Sequence, residues 1–111
     1  QSVLSPLQRL ITSISNFLKA NTMIIKNLLA ELELQLSDIA FSGLRNIQPV
    51  TLQKLEDLKH WMNELNMSEA IRLTDRFIDS VYAWQAGQTT LETVAANLCA
   101  LEFYEKNIAN N

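Results

Sequence analysis

The fold class of this chain rests on one stretch, Leu28-Leu29-Ala30-Glu31-Leu32-Glu33-Leu34-Gln35-Leu36-Ser37-Asp38-Ile39-Ala40-Phe41-Ser42-Gly43-Leu44. It is rich in Leu, Ala, Glu and Gln, whose side chains lose little rotamer freedom in a helix. Its apolar residues recur at three- and four-residue steps and therefore share one helix face. Gly43 predicts the end of this helix in a left-handed conformation, with Leu44 packed back on Ile39. We interpret the stretch as the central helix of an all-helical domain.

Composition supports the same fold class over the rest of the chain. Of the 111 residues, 48% are hydrophobic and 19% are charged, so the chain can form a core and is not disordered over most of its length. Two Gly and two Pro leave few turns, which disfavours an all-β fold. We predict one all-α domain over 1–111, an up-and-down bundle of four to five helices. Residues 1–21 are expected to form a protruding or separately packed N-terminal helix.

The number of helices depends on one junction near the N-terminus. Ser5 and Pro6 predict the N-cap and first position of a helix. At Asn21 and Thr22 the chain could break, or the helix could continue to Ser42 as a rod of roughly 55 Å at ~1.5 Å per residue. We favour the break, and hence five helices, because long uncapped helices are a minority in globular proteins.

The C-terminal half contains clearer boundary signals. Asn66 or Ser68 is predicted to begin a helix, and Gly87 to end it. Thr89 and Glu92 then predict a capping box for the last helix. Because the connection between these two helices is short, we expect them to form an antiparallel hairpin.

Charge is distributed unevenly along the chain. The net charge is −3, which argues against a nucleic-acid partner bound through its phosphates. No acidic residue precedes Glu31, whereas three basic residues do: Arg9, Lys19 and Lys26. From Glu31 onward, twelve acidic residues face six basic ones. This asymmetry indicates a separate interaction role for the N-terminal helix.

The chain lacks a recognisable catalytic or metal-binding pattern. His60 is the only histidine, with Glu56 and Glu64 four residues to either side, and no nucleophile or further ligand accompanies it. Cys99 is the only cysteine and is expected to be a small buried hydrophobe. We predict a protein that is not an enzyme and has no catalytic residue, cofactor or metal. Since a lone cysteine cannot form an internal disulfide, we expect a cytoplasmic location.

The predicted function is a helical interaction module that binds a protein, either a second copy of the chain or a helix of another protein. We expect such a module to be part of a larger regulatory or scaffolding protein. One chain has more apolar helix face than its own bundle would cover, so burial of that face against a partner is the expected mechanism. Aromatic residues late in the chain could form a second groove. The predicted partner-binding residues are Leu10, Ile14, Phe17, Asn21, Ile24, Leu28, Tyr82, Trp84 and Tyr104.

An alternative function uses the same N-terminal residues. The segment 4–30 is amphipathic, basic and free of acidic residues, as are helices that lie on membrane surfaces. Peripheral membrane binding, or binding of a small apolar ligand, is therefore the second hypothesis. Gln1 is not an initiator methionine, so we expect the chain to be processed or to be part of something longer.

One family resemblance covers residues 28–84. The residues Ala40-Phe41-Ser42-Gly43-Leu44, followed by Leu52, Leu55 and Leu58 and then by Ala70, Leu73 and Phe77, resemble the helical region beside SWIM-type zinc fingers of bacterial proteins. The zinc ligands of that family, a Cys-x-Cys and a Cys-x-His, are absent here. The resemblance implies a partner-binding or scaffolding part of a larger protein, without a zinc site.

Overall fold

The computed structural model describes residues 5–110, and these residues form four α-helices. They are α1 (Pro6–Ser42), α2 (Pro49–Glu64), α3 (Ser68–Gln85) and α4 (Leu91–Ala109). A single 3-10 turn (Leu44–Asn46) follows α1. The described residues contain no strand, and the prediction of an all-α bundle is confirmed.

The four helices close into a bundle. Each helix packs against the next one in the chain, and α4 packs back against α1. The core is almost entirely aliphatic, with Phe77 as its one fully buried aromatic side chain. The α1 contribution begins only at Leu28, so the N-terminal half of this helix adds nothing to the core. The buried residues of α1 are Leu28, Leu29, Leu32, Gln35, Leu36 and Ile39.

The predicted break at Asn21 and Thr22 is wrong, because α1 runs through both residues without interruption. Asn and Thr cost at most ~0.7 kcal/mol each in a helix interior. The Thr22 hydroxyl also donates a hydrogen bond of 2.8 Å to the Leu18 carbonyl, so it stays satisfied within the helix. The predicted start is confirmed: Ser5 caps α1 and forms a reciprocal capping box with Gln8.

Helix lengths determine the shape of the molecule. The 16 to 19 residues of α2, α3 and α4 correspond to about 24–29 Å, whereas the 37 residues of α1 correspond to about 55 Å. The molecule measures 70 × 23 × 22 Å. Residues 6–27 of α1, which we call the arm, therefore extend beyond the bundle as a single helix.

The end of α1 differs from the predicted left-handed turn. Gly43 has a positive φ of 92°, as expected, but its ψ is 150°, a combination that is open almost only to glycine. Its N–H donates to the Ile39 carbonyl at 2.8 Å, and the chain then enters the 3-10 turn. Leu44 still packs against the core as a half-buried residue.

The end of α3 follows the prediction. Gly87 has a φ of 73°, and the N–H of Gln88 donates to the Ala83 carbonyl at 2.8 Å. This six-to-one hydrogen bond defines a Schellman ending. The five residues 86–90 then connect α3 to α4. These two helices share the most extensive contact of any helix pair in the bundle.

Of the two predicted starts of α3, Ser68 is confirmed, whereas two predicted helix caps are shifted in the structure. Asn66 does not begin α3 but ends α2, with a left-handed φ of 57° and a 2.8 Å hydrogen bond from the Met67 N–H to the Met62 carbonyl. At α4 the N-cap is Thr90 rather than Thr89. Asn tolerates the left-handed region better than other residues with a side chain, so it can serve at either end of a helix.

We expect Gly43→Asn to lower the free energy of unfolding by about 1–3 kcal/mol, because its backbone conformation is strained for any side chain. Steric contact contributes little, since an added Cβ would lie 3.8 Å from the nearest atom, Asn46 Nδ2. Urea unfolding of the variant measures the loss.

Gly87→Asn is the matched control. Its left-handed backbone accepts Asn and an added Cβ would contact nothing within 4 Å, so the loss there should stay below about 1 kcal/mol. Equal losses for Gly43→Asn and Gly87→Asn would contradict the difference between the two backbone conformations.

Candidate interaction surface on the first helix

The arm exposes a continuous apolar surface. Seven large side chains on one side of it are between 39% and 65% exposed, and half-buried Asn21 lies among them. Monomeric proteins rarely expose contiguous apolar patches of this kind without a function for them. We call these eight residues the arm face: Leu7, Leu10, Ile11, Ile14, Phe17, Leu18, Asn21 and Ile24.

The arm face points in the same direction as the buried face of α1. Eighteen residues make about five turns of an α-helix, so residues eighteen apart point the same way. Every buried position of α1 has its counterpart in the arm face at this distance. The pairs are Leu10 and Leu28, Ile11 and Leu29, Ile14 and Leu32, Phe17 and Gln35, Leu18 and Leu36, and Asn21 and Ile39. The arm thus continues the face that α2 and α4 cover in the bundle, with apolar and polar side chains exchanged at Phe17 and Asn21, but these helices do not reach it.

The charges of the arm lie on its other side. At about 100° per residue, Arg9, Lys19 and Lys26 all point more than a quarter-turn away from the centre of the arm face, and all three are exposed. No acidic residue is present on the arm. The arm face itself therefore carries no charge.

A groove lies where the arm leaves the bundle. It has a volume of about 320 Å³ and opens between α1 and the end of α2. Trp61 forms part of its wall and is 52% exposed, although a tryptophan ring is costly to leave in water. We call this the base groove, and its lining residues are Ile24, Asn27, Leu28, Glu31, Leu58 and Trp61.

The structure brings together most of the predicted partner-binding residues of α1. Leu10, Ile14, Phe17 and Ile24 are exposed on the arm face with Asn21 between them. Leu28 requires a correction, because it is only 5% exposed and belongs to the bundle core. It can contact a partner only through the base groove.

The predicted aromatic groove is not assembled in one place. Half-buried Trp84 lies at one end of α3 with the Arg45 guanidinium 5.9 Å from its ring centre, and Tyr82 nearby is exposed. Tyr104 lies near Glu69 at the other end of α3; burial first, and then the Glu69 charge, raise its pKa. The fifteen residues from Glu69 to Trp84 span roughly 22 Å of helix, so Trp84 and Tyr104 do not form one wall.

The chemically reactive side chains lie apart from the arm face. His60 is exposed, and its ring makes a T-shaped contact with Trp61, with 5.5 Å between ring centres. Cys99 is exposed on α4, so its predicted burial is wrong. Within residues 5–110, no cluster of His, Cys, Asp or Glu has the arrangement needed to hold a metal ion. None of the helices there combines the length and apolar character needed to cross a membrane.

Two charged residues on packed helix faces were missed by the sequence analysis. Lys59 on α2 pairs with Asp75 on α3 and with Glu56 at 3.0 Å, and its hydrogen bond to Asp75 is the main reason that its pKa is raised. Glu105 on α4 is only 3% exposed. Burial, and then the nearby Glu33 carboxylate on α1, raise the pKa of Glu105.

Comparison with known proteins does not assign the chain to a group. No protein-family model, curated protein or solved structure matches it. The resemblance to the helical region beside SWIM-type zinc fingers therefore stays a prediction, and the function must be inferred from the surface itself.

We expect Glu105→Gln to stabilise the fold at neutral pH and to make little difference in acid. The folded carboxyl has a raised pKa, so the native state binds this proton more tightly than the unfolded chain does. Stability therefore falls as the pH rises through the folded pKa, and the neutral amide removes that loss. Urea unfolding of both proteins at pH 7 and pH 4 measures the effect.

Glu64→Gln at an exposed position controls for the general loss of one negative charge. If Glu105→Gln stabilised the protein equally at both pH values, the burial of an ionised carboxylate would not be the cause.

Proposed function

We propose that this chain is a non-enzymatic interaction module that associates with a second copy of itself through the arm face. The observation that carries the proposal is the eighteen-residue correspondence between the arm face and the buried face of α1. A helix that continues its core-forming face for three heptads past its bundle presents a surface suited to burial against another helix. We place this activity in the cytoplasm, in a regulatory or scaffolding role.

The energy of burial is large enough for such a pairing. Full burial of a Leu, Ile or Phe side chain contributes ~1.5–3 kcal/mol, and the seven apolar side chains of the arm face are about half exposed. Covering them would contribute roughly 5–10 kcal/mol from each copy. Association itself costs ~4–15 kcal/mol, so the combined contribution of two copies supports a stable pair.

The charge distribution also favours a second copy as the partner. The arm carries three positive charges and no negative one, whereas the residues from Glu31 onward carry twelve acidic and six basic side chains. An arm that approaches the bundle of another copy therefore meets a surface of opposite net charge, and this attraction accelerates their encounter. Two bundles carry net charge of the same sign, so they repel each other.

Membrane-surface binding is the second candidate, and the same arm favours it. Its polar side carries basic residues and no acidic residue, while its other side is apolar. That combination binds anionic lipid surfaces in amphipathic helices. Only three basic residues are present, which is why we rank this candidate below self-association.

Replacing Ile14→Glu and Ile24→Glu together should weaken self-association at least a hundredfold, about 3 kcal/mol, because two carboxylates would be buried in an apolar interface. Sedimentation equilibrium over a wide concentration range measures the change. Far-UV circular dichroism should show nearly the same helix content, since neither residue belongs to the bundle core.

The matched control is the pair Asn16→Glu and Met23→Glu. Both residues are exposed on the opposite side of the arm, so the same two added charges should leave the association constant nearly unchanged. Unfolding by Ile14→Glu and Ile24→Glu, or equal weakening by both pairs, would refute the arm face as the interface.

Co-sedimentation with vesicles separates the membrane candidate from self-association. Vesicles containing anionic phosphatidylserine should bind the protein at low salt, and binding should fall at high salt, if the arm acts on membranes. Neutral phosphatidylcholine vesicles provide the control. A protein that stays in the supernatant at low salt with both lipids would remove this candidate.

A further inference from the structure

We infer that the base groove receives the N-terminal end of the arm of a second copy, in a dimer whose two arms run antiparallel. This inference rests on the self-association proposed above and specifies its geometry. The two bundles then lie at opposite ends of the dimer, joined by the paired arms.

Parallel pairing of straight arms is blocked by the bundle itself. The arm face and the buried face of α1 point in the same direction, so α2, α3 and α4 occupy the space in front of α1 from Leu28 onward. In a parallel pair, the partner's α1 would have to continue through that space. Paired helices lie only ~8–10 Å apart, which leaves no room for an intervening bundle.

Antiparallel pairing avoids this clash. Each arm then covers the other arm's face and ends where the other bundle begins, while the two bundles lie on opposite sides of the pair. The arrangement is symmetric about a twofold axis, as in most homodimers. It leaves each bundle in its observed form.

The end of the bundle also limits the register of the two arms. The spacing of Leu7, Leu10, Ile14, Phe17, Asn21 and Ile24 follows the a and d positions of a heptad. An antiparallel overlap places Leu7 against the partner's Ile24, Leu10 against the partner's Asn21, and Ile14 against the partner's Phe17. All six positions of each arm are then used. A shift by one heptad would bring Leu10 to Leu28, which its own bundle already covers.

The chemistry of the base groove fits the arm end that reaches it. In this register Leu7 arrives beside Ile24, and the apolar end of the arm covers the exposed part of Trp61. Among the described residues, Glu31 is the one charged residue that lines the groove. The charges of the incoming arm are all positive. They point away from the surface where the two arms meet, so the charges of the two arms do not repel each other there.

The distance between the two native Cys99 thiols tests the orientation. Cys99 is the only cysteine and is exposed on α4, so the unmodified sequence accepts a nitroxide label for dipolar electron paramagnetic resonance. The antiparallel register places the two labels roughly 60 Å or more apart, at ~1.5 Å per residue along α1. A parallel dimer places the bundles side by side, within twice the 23 Å bundle width, about 46 Å.

Sedimentation of the same labelled sample separates the possible failures. A dimer with the long distance supports the inference. A dimer with a distance below about 46 Å overturns the antiparallel arrangement and leaves self-association standing. A monomer at every concentration overturns both.

Trp61 fluorescence tests whether the groove is occupied. Subtracting the emission of Trp61→Phe from that of the unchanged chain isolates the Trp61 signal, because Trp84 is the only other tryptophan. As the concentration rises through the dimerisation range, this signal should shift to shorter wavelength and become less accessible to acrylamide. A dimer in which the Trp61 signal does not change would overturn the seating of the arm in the base groove.

Discussion

The structure depends on the burial of one side of α1 against α2 and α4. Leu28, Leu32 and Ile39 belong to that buried side, and α3 completes the bundle by packing on α2 and α4. Because the α-helical repeat does not change along α1, the same apolar side continues toward the N-terminus after the bundle has ended. The arm face therefore continues the buried side of α1 and differs from it in that no helix packs against it.

This single constraint links the shape of the molecule to its proposed use. The arm is uncharged on the side that would meet a partner and basic on the side that would face solvent. The bundle carries the acidic residues, and its open end forms the base groove beside Trp61. The proposed self-association depends on these two features, the exposed apolar side of the arm and the difference in charge between the arm and the bundle.

Much of this was accessible from the sequence, and the errors have identifiable causes. Periodicity predicted the fold class and the stripe through Leu10, Ile14, Phe17 and Ile24, because helical spacing is a local property. It did not decide the junction at Asn21, where a cost of ~0.7 kcal/mol or less is too small to choose between two structures. The buried Glu105 could have been found, since it continues the Val94, Leu98 and Leu101 spacing of α4. The separation of Trp84 from Tyr104, the base groove and the exposure of Cys99 depend on how helices pack, which spacing alone does not determine.

The correspondence between the two halves of α1 also bears on how the chain avoids misfolding. An arm that matches the core segment at four of six corresponding positions is a competitor for the same helices, especially those of a neighbouring molecule during refolding at high concentration. The match fails at Phe17, which corresponds to the buried Gln35, and at Asn21, which would have to occupy the fully buried position of Ile39. Burying an unpaired amide there would cost ~1–3 kcal/mol. Asn21 therefore disfavours the arm as a replacement for the core segment of α1.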